Sequence, residues 1–162
     1  MDHDRMKTLV LGLGNPLLRD DSIGLRVVQE LRVRLGDKPD IEVSEDYWGG
    51  LRLMERMIGF DRAIIIDAIC TDAEPGTIHL LSPNDIPTQR STSAHDVNLP
   101  TALELGRQAG AQLPTSSEIF IVGVEAADVQ TFDEALTPEV EIALPQAVEA
   151  VLSVLDRERE KS

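Results

Sequence analysis

Two adjacent carboxylates, Asp20 and Asp21, follow a glycine-rich turn, Gly12-Leu13-Gly14-Asn15. A further carboxylate, Asp67, closes the apolar run Ile64-Ile65-Ile66, and His95 precedes a predicted helix. Asp46, beyond a predicted second strand, could join them. Two carboxylates and an imidazole, brought together from separate loops, make an oxygen and nitrogen site suited to a divalent transition metal. Three protein ligands would leave coordination positions open to water or substrate. Each residue also has a plainer reading. Asp20 or Asp21 alone could favour the N-terminus of a helix beginning near Ser22. Asp67 could satisfy amides beneath a turn, and a lone histidine near a helix start is more often structural. The combination favours chemistry over these separate explanations.

Other chemistries find less support. Cys70 lies just past Asp67, yet nothing around it resembles a thiol-protease pattern, so a buried structural thiol is expected. Ser91, Ser93 and His95 form no nucleophile elbow. There is no His-Glu-x-x-His motif and no cysteine pair for a structural metal. His79 falls within a predicted strand and reads as structural, and His3 sits in a terminus expected to fray.

The elements that must position these residues follow from the hydrophobic pattern. Thr8-Leu9-Val10-Leu11-Gly12 reads as a buried strand. Ile23, Val27, Val28, Leu31 and Leu35 then recur on one helical face, with Gly36 as a stop. Ile41-Glu42-Val43 is a second strand, followed by Gly49-Gly50 and a short helix over 51–58. The continuous β-branched run Ala63-Ile64-Ile65-Ile66 predicts a central strand buried on both faces. Pro75-Gly76 turns the chain into a strand over 77–81. The connection is too short for a parallel crossover, so this strand should run antiparallel. A polar loop over 82–94, a helix over 96–110 and a fifth strand over 119–124 come next. After a loop over 125–136, Thr137-Pro138-Glu139 opens a helix with an N-cap, a proline and an acid in order. It should extend to about Arg157, with Pro145 as the point where it could bend. The order βαβαββαβα predicts a three-layer α/β/α domain with a five-stranded, mostly parallel twisted sheet and one antiparallel strand, of the phosphorylase/hydrolase-like kind. Function is then expected at the carboxyl ends of the strands.

The length of 162 residues suits one domain, 1–162, with an ordered core at about 7–157. Hydrophobic residues at 42% and charged residues at 27% indicate a globular chain, and aromatics at 3% leave the core to aliphatic side chains. The formal net charge of −14 argues against nucleic acid as a partner. A single cysteine excludes an intrachain disulfide and fits a reducing compartment. No signal-peptide core and no membrane-spanning run is visible. A cytoplasmic protein, without membrane association and monomeric, is expected.

The strand-Gly-x-Gly start invites a dinucleotide-binding reading, with Glu45 or Asp46 near the ribose position. Leu17 stands where the third glycine belongs, Asn15-Pro16 delays the helix, and Asp20-Asp21 would repel a pyrophosphate. The opening Gly12-Leu13-Gly14-Asn15-Pro16 also resembles bacterial peptidyl-tRNA hydrolases. That resemblance ends after these residues, because Leu18-Arg19-Asp20-Asp21 lacks the family's catalytic histidine.

A fuller signature spans about residues 7–155: Gly12-x-Gly14-Asn15-x4-Asp20-Asp21-x2-Gly24, Asp46 with Gly49-Gly50, Ile66-Asp67-Ala68, Pro75-Gly76, His95, Val122-Gly123-Val124 and Leu136-Thr137-Pro138. This ordered set resembles the nickel-iron hydrogenase maturation endopeptidases. The resemblance implies an aspartic-type or metal-assisted endopeptidase that removes a C-terminal extension from the hydrogenase large-subunit precursor after nickel insertion. It implies nickel as the recognition element, supplied by the precursor, and no organic cofactor. The family's metal-contacting positions fall on Asp21, Asp67 and His95, and Asp46 matches a further acidic position near the site. Asp20 is assigned instead to holding the loop and the helix start. Tyr47-Trp48 departs from the small residues many members carry there. Two mechanisms fit: the metal activates water, or nickel positions the substrate while a carboxylate acts as general base. A non-hydrolytic nickel chaperone or scaffold using the same side chains is the competing class.

Overall fold

The structure is a computed structural model that describes residues 6–47, 49–85 and 98–157. Its strands are β1 (Thr8–Leu13), β2 (Ile41–Asp46), β3 (Arg62–Ile69), β4 (Ile78–Leu81) and β5 (Ile119–Glu125). Its α-helices are α1 (Ile23–Leu35), α2 (Gly50–Met57), α3 (Leu99–Gln108) and α4 (Pro138–Leu155). The sheet has the order β2-β1-β3-β5-β4. All neighbours pair in parallel except β4, which runs antiparallel to β5 as its short connection requires.

Side-chain alternation divides the core into two halves. Val10, Ile64, Ile66, Val122 and Val124 face α1 and α4, burying Val27, Leu31, Val148 and Val151. Leu9, Leu11, Ala63, Ile65 and Ile121 face the other way, onto Leu53 and Met57 of α2 and Leu103 of α3. Helices thus cover both faces, as a central parallel sheet of continuous apolar runs demands.

Helix α1 ends at Gly36, as its periodicity predicts. Helix α3 starts later than expected: Asn98 is its N-cap, its side-chain oxygen accepting from the Thr101 amide at 3.0 Å. Helix α4 runs through Pro145 without interruption. Strand β3 extends past Ile66 to Ile69, because Asp67, Ala68 and Ile69 pair with Gly123, Val124 and Glu125.

The amino-terminal end of the sheet holds a buried ion pair. Arg62 Nε donates to Glu118 Oε1 at 3.0 Å, and its Nη1 donates to the carbonyls of Val154 and Arg157, each at 3.0 Å. No helix among the described residues is long and apolar enough to cross a membrane.

Candidate active site

Glycines bring α1 unusually close to the sheet. A β-carbon on Gly12 would lie 2.3 Å from the Gly24 carbonyl oxygen, and one on Gly24 would lie 2.4 Å from those of Ile66 and Leu13. A β-carbon on Gly14 would meet the Asp21 carbonyl oxygen at 2.0 Å. The spacing Gly12, Gly14 and Gly24 is therefore a steric requirement. It lets the 3-10 turn Asp20–Ser22 sit over the carboxyl ends of β1 and β3.

The adjacent carboxylates have opposite environments. Asp20 is fully buried. Its Oδ2 accepts from the amides of Ala127 and Asp128, both at 2.9 Å. Its Oδ1 accepts from the Thr137 amide at 2.9 Å, and the Thr137 hydroxyl donates to both oxygens. Asp20 therefore holds a loop and a helix start, but the helix is α4 rather than α1. The Thr137 hydroxyl is correspondingly engaged by Asp20 and does not cap α4 itself. Asp21 is also buried, at 8% exposure. Its Oδ2 accepts from the Asn15 amide at 2.9 Å. Its Oδ1 is buried with no hydrogen-bond partner among the described residues. A buried carboxylate oxygen left this way is costly unless something else meets it.

Asp67 lies inside β3 rather than beyond it, at 2% exposure. The pairs Leu13↔Asp46 and Gly12↔Ile66 put Leu13 between Asp46 and Asp67 in one row across the sheet. Two strand spacings, about 10 Å, separate those backbones. Asp46 ends β2 and is engaged by α2. Its Oδ2 takes the Arg56 Nη1 at 3.0 Å and the Arg52 Nε at 3.2 Å, while Oδ1 accepts from the Tyr47 amide at 2.8 Å. Asp46 therefore belongs to the edge but is held by two guanidinium groups. His95 lies outside the described residues, as does Trp48. Among the described residues, no group of three His, Cys, Asp or Glu side chains is placed to hold a metal ion.

Cys70 is exposed, contrary to the expected buried thiol, because β3 ends at Ile69 and the chain leaves the sheet there. Partial burial pushes its thiol up, and the negative charges of Glu125, Asp21, Asp67 and Asp20 push the same way. The thiol thus senses a common field of carboxylates at this edge. Glu125 escaped the sequence reading, although it ends an apolar strand much as Asp67 follows Ile66. It is 2% exposed, and its carboxylate accepts from the Thr71 amide and hydroxyl and pairs with His79 Nε2 at 3.2 Å.

The profile of the hydrogenase maturation protease family matches residues 25–154. The chain is 33% identical to the hydrogenase 2 maturation protease of Escherichia coli over 93% of its own length and 91% of that protein. Its fold is similar to the solved hydrogenase maturating endopeptidase HybD of E. coli, with a TM-score of 0.77, 32% identity and coverage of 93% and 92% of the two chains. It is also similar to a nickel-iron hydrogenase maturation protease from Thermococcus kodakarensis, with a TM-score of 0.68, 27% identity and coverage of 92% and 99%. With a family match over most of its length and these relatives spanning nearly all of it, the chain belongs to the hydrogenase maturation protease family.

Proposed function

We propose that this protease removes the C-terminal extension of a nickel-iron hydrogenase large-subunit precursor after nickel insertion, working at Asp21 and Asp67 with His95 as the third contact. The observation that carries this reading is the buried, unpartnered Oδ1 of Asp21. Asp20, beside it, has every oxygen engaged, and Asp46 is held by Arg52 and Arg56. Asp21 is therefore the carboxylate at this edge whose open oxygen calls for an incoming cation or donor.

Nickel enters as part of the substrate, already held by the precursor. Carboxylate oxygens with an imidazole nitrogen suit such an ion. When bound, the ion supplies positive charge that can anchor the substrate and polarise a nearby carbonyl. The protein's part is to hold Asp21 rigidly through the Asn15 amide and the glycine-packed turn. Asp21 and Asp67 then divide two tasks, contact with the nickel-bearing segment and acceptance of a proton from the attacking water. As the peptide bond breaks, that proton passes to the leaving amine, so the carboxylate returns to its starting state. A precursor without nickel lacks a principal contact and should be left uncut.

The test is a gel-shift assay on nickel-loaded and nickel-free precursor with the wild-type chain, Asp21→Asn and His95→Ala. Cleavage only of the loaded precursor, and only by the wild type, is expected. Normal cleavage by both variants would overturn the site. Nickel binding with no change in precursor length would instead identify a chaperone.

A further inference from the structure

We propose that the Cys70-Thr71 step forms a wall beside Asp67 against which the precursor chain docks, and that Glu125 is the positioning residue that fixes this wall. The proposal rests on the reading of Asp21 and Asp67 as the proteolytic site.

Glu125 holds both ends of the excursion between β3 and β4. At the far end, its backbone carbonyl accepts from the Gly76 amide at 2.8 Å and its own amide donates to the Thr77 carbonyl at 2.9 Å. At the near end, its carboxylate accepts from the Thr71 amide at 2.6 Å and from the Thr71 hydroxyl. The next amide, Ala126, donates to the Ile69 carbonyl at 2.9 Å. Cys70 is thus flanked on each side by a backbone group tied to the end of β5. His79 Nε2 adds a further contact to the same carboxylate from β4.

The wall adjoins the site because Cys70 lies three residues past Asp67, just beyond the end of β3 and within about 10 Å along the extended chain. Glu125 itself does not enter the site. The Ile69 side chain occupies the space above Gly123, where a β-carbon would come within 2.7 Å of Ile69 Cδ1, and Gly123 is the strand partner of Asp67. This apolar filler accompanies a buried carboxylate that acts on the loop, not on the reacting groups.

Cys70 is the only cysteine in the chain, so a thiol reagent addresses this wall alone. The full-length protein is treated with methyl methanethiosulfonate or with the bulkier N-ethylmaleimide and assayed on nickel-loaded precursor. The bulky adduct should lower kcat/KM by about tenfold or more, and the small adduct by less. The same reagent should leave Cys70→Ala at its own untreated rate. Saturating loaded precursor should also slow alkylation of the untreated protein, a readout that needs no cleavage. An adduct that leaves kcat/KM unchanged, or alkylation that the bound precursor does not slow, would overturn the wall. If the untreated protein does not cleave at all, the proteolytic reading fails separately, and the protection experiment still decides the wall. For Glu125, Glu125→Ala should raise KM about tenfold with kcat changed less than about twofold, and Glu125→Gln should recover most of the loss. A KM unchanged in Glu125→Ala would remove Glu125 from this role.

Discussion

At the amino-terminal end of the sheet, Arg62 is buried against Glu118 and donates to the Val154 and Arg157 carbonyls. At the carboxyl end, Asp21 and Asp67 are just as buried, and one oxygen of Asp21 has no partner among the described residues. The first arrangement matches a cation to an anion and completes its hydrogen bonds, which is how a fold tolerates buried charge. The second gathers negative charge at an edge where a parallel α/β sheet places its ligands. Asp20 and Asp21 repeat this contrast within one dipeptide. Asp20 belongs with Arg62, as a fold-holding charge with every oxygen used, while Asp21 keeps an open oxygen.

The largest effect should come from breaking the open side. Asp21→Asn is expected to lower cleavage of nickel-loaded precursor by about a thousandfold. Its thermal midpoint should be unchanged or raised, because the Asn15 amide keeps an oxygen acceptor while an unpaired buried charge is lost. A fall in stability comparable to that of the fold-holding charges would erase the distinction. Arg62→Ala should act the other way. It removes the cation matched to buried Glu118 and should cost about 3–5 kcal/mol in denaturant unfolding, while the remaining folded protein still cleaves. The pair Arg62→Met with Glu118→Leu should recover most of that loss. Asp20→Asn should cost about 2 kcal/mol, since an amide nitrogen would confront donors from Ala127, Asp128 or Thr137. Asp46→Asn should be milder still. Its partners Arg52 and Arg56 are 58% and 29% exposed, so both ion pairs reach solvent, and an effect of about 1 kcal/mol or less is expected with cleavage largely kept.

Much of this contrast was legible in the residues, for stateable reasons. Apolar runs such as Ala63 to Ile66 announce buried strands, and the short link after β3 forces β4 to be antiparallel. The glycine spacing around Asp20-Asp21 reads as a motif in the sequence, and its steric role appears only where Gly12, Gly14 and Gly24 meet neighbouring carbonyls. What sequence order hides is partnership at long range. Asp20 meets Ala127 and Thr137, and Arg62 meets Glu118 and Val154, so neither pairing has a local pattern. Asp46 looked as free as Asp21 because Arg52 and Arg56 approach it only once α2 folds back over β2. Cys70, which matches no thiol-protease pattern, reads as a buried structural thiol, yet strand pairing stops one residue earlier and leaves it exposed. Glu125 falls at the start of the loop predicted over 125–136, although pairing with Ile69 keeps it in the sheet.

The finest test of the carboxyl end uses Cys70 as a reporter of its charge. Burial and the surrounding carboxylates push the thiol up, so at any pH below its titration less thiolate is present than on a small free thiol. Alkylation of the wild type near pH 8 should therefore be slower than that of such a thiol, and should quicken as pH rises. Burial is the first cause, so removing single charges can restore only part of the difference. Among the charges Glu125 contributes most, followed by Asp21, Asp67 and Asp20. Glu125→Gln should then speed alkylation more than Asp21→Asn, and Asp21→Asn more than Asp20→Asn, with added salt narrowing all three gains. A reversed order would mean that the carboxylates at this edge act on the thiol in a different order from the one given. An unchanged rate in all three variants would leave burial as the sole cause and remove Cys70 as evidence of concentrated charge beside the site.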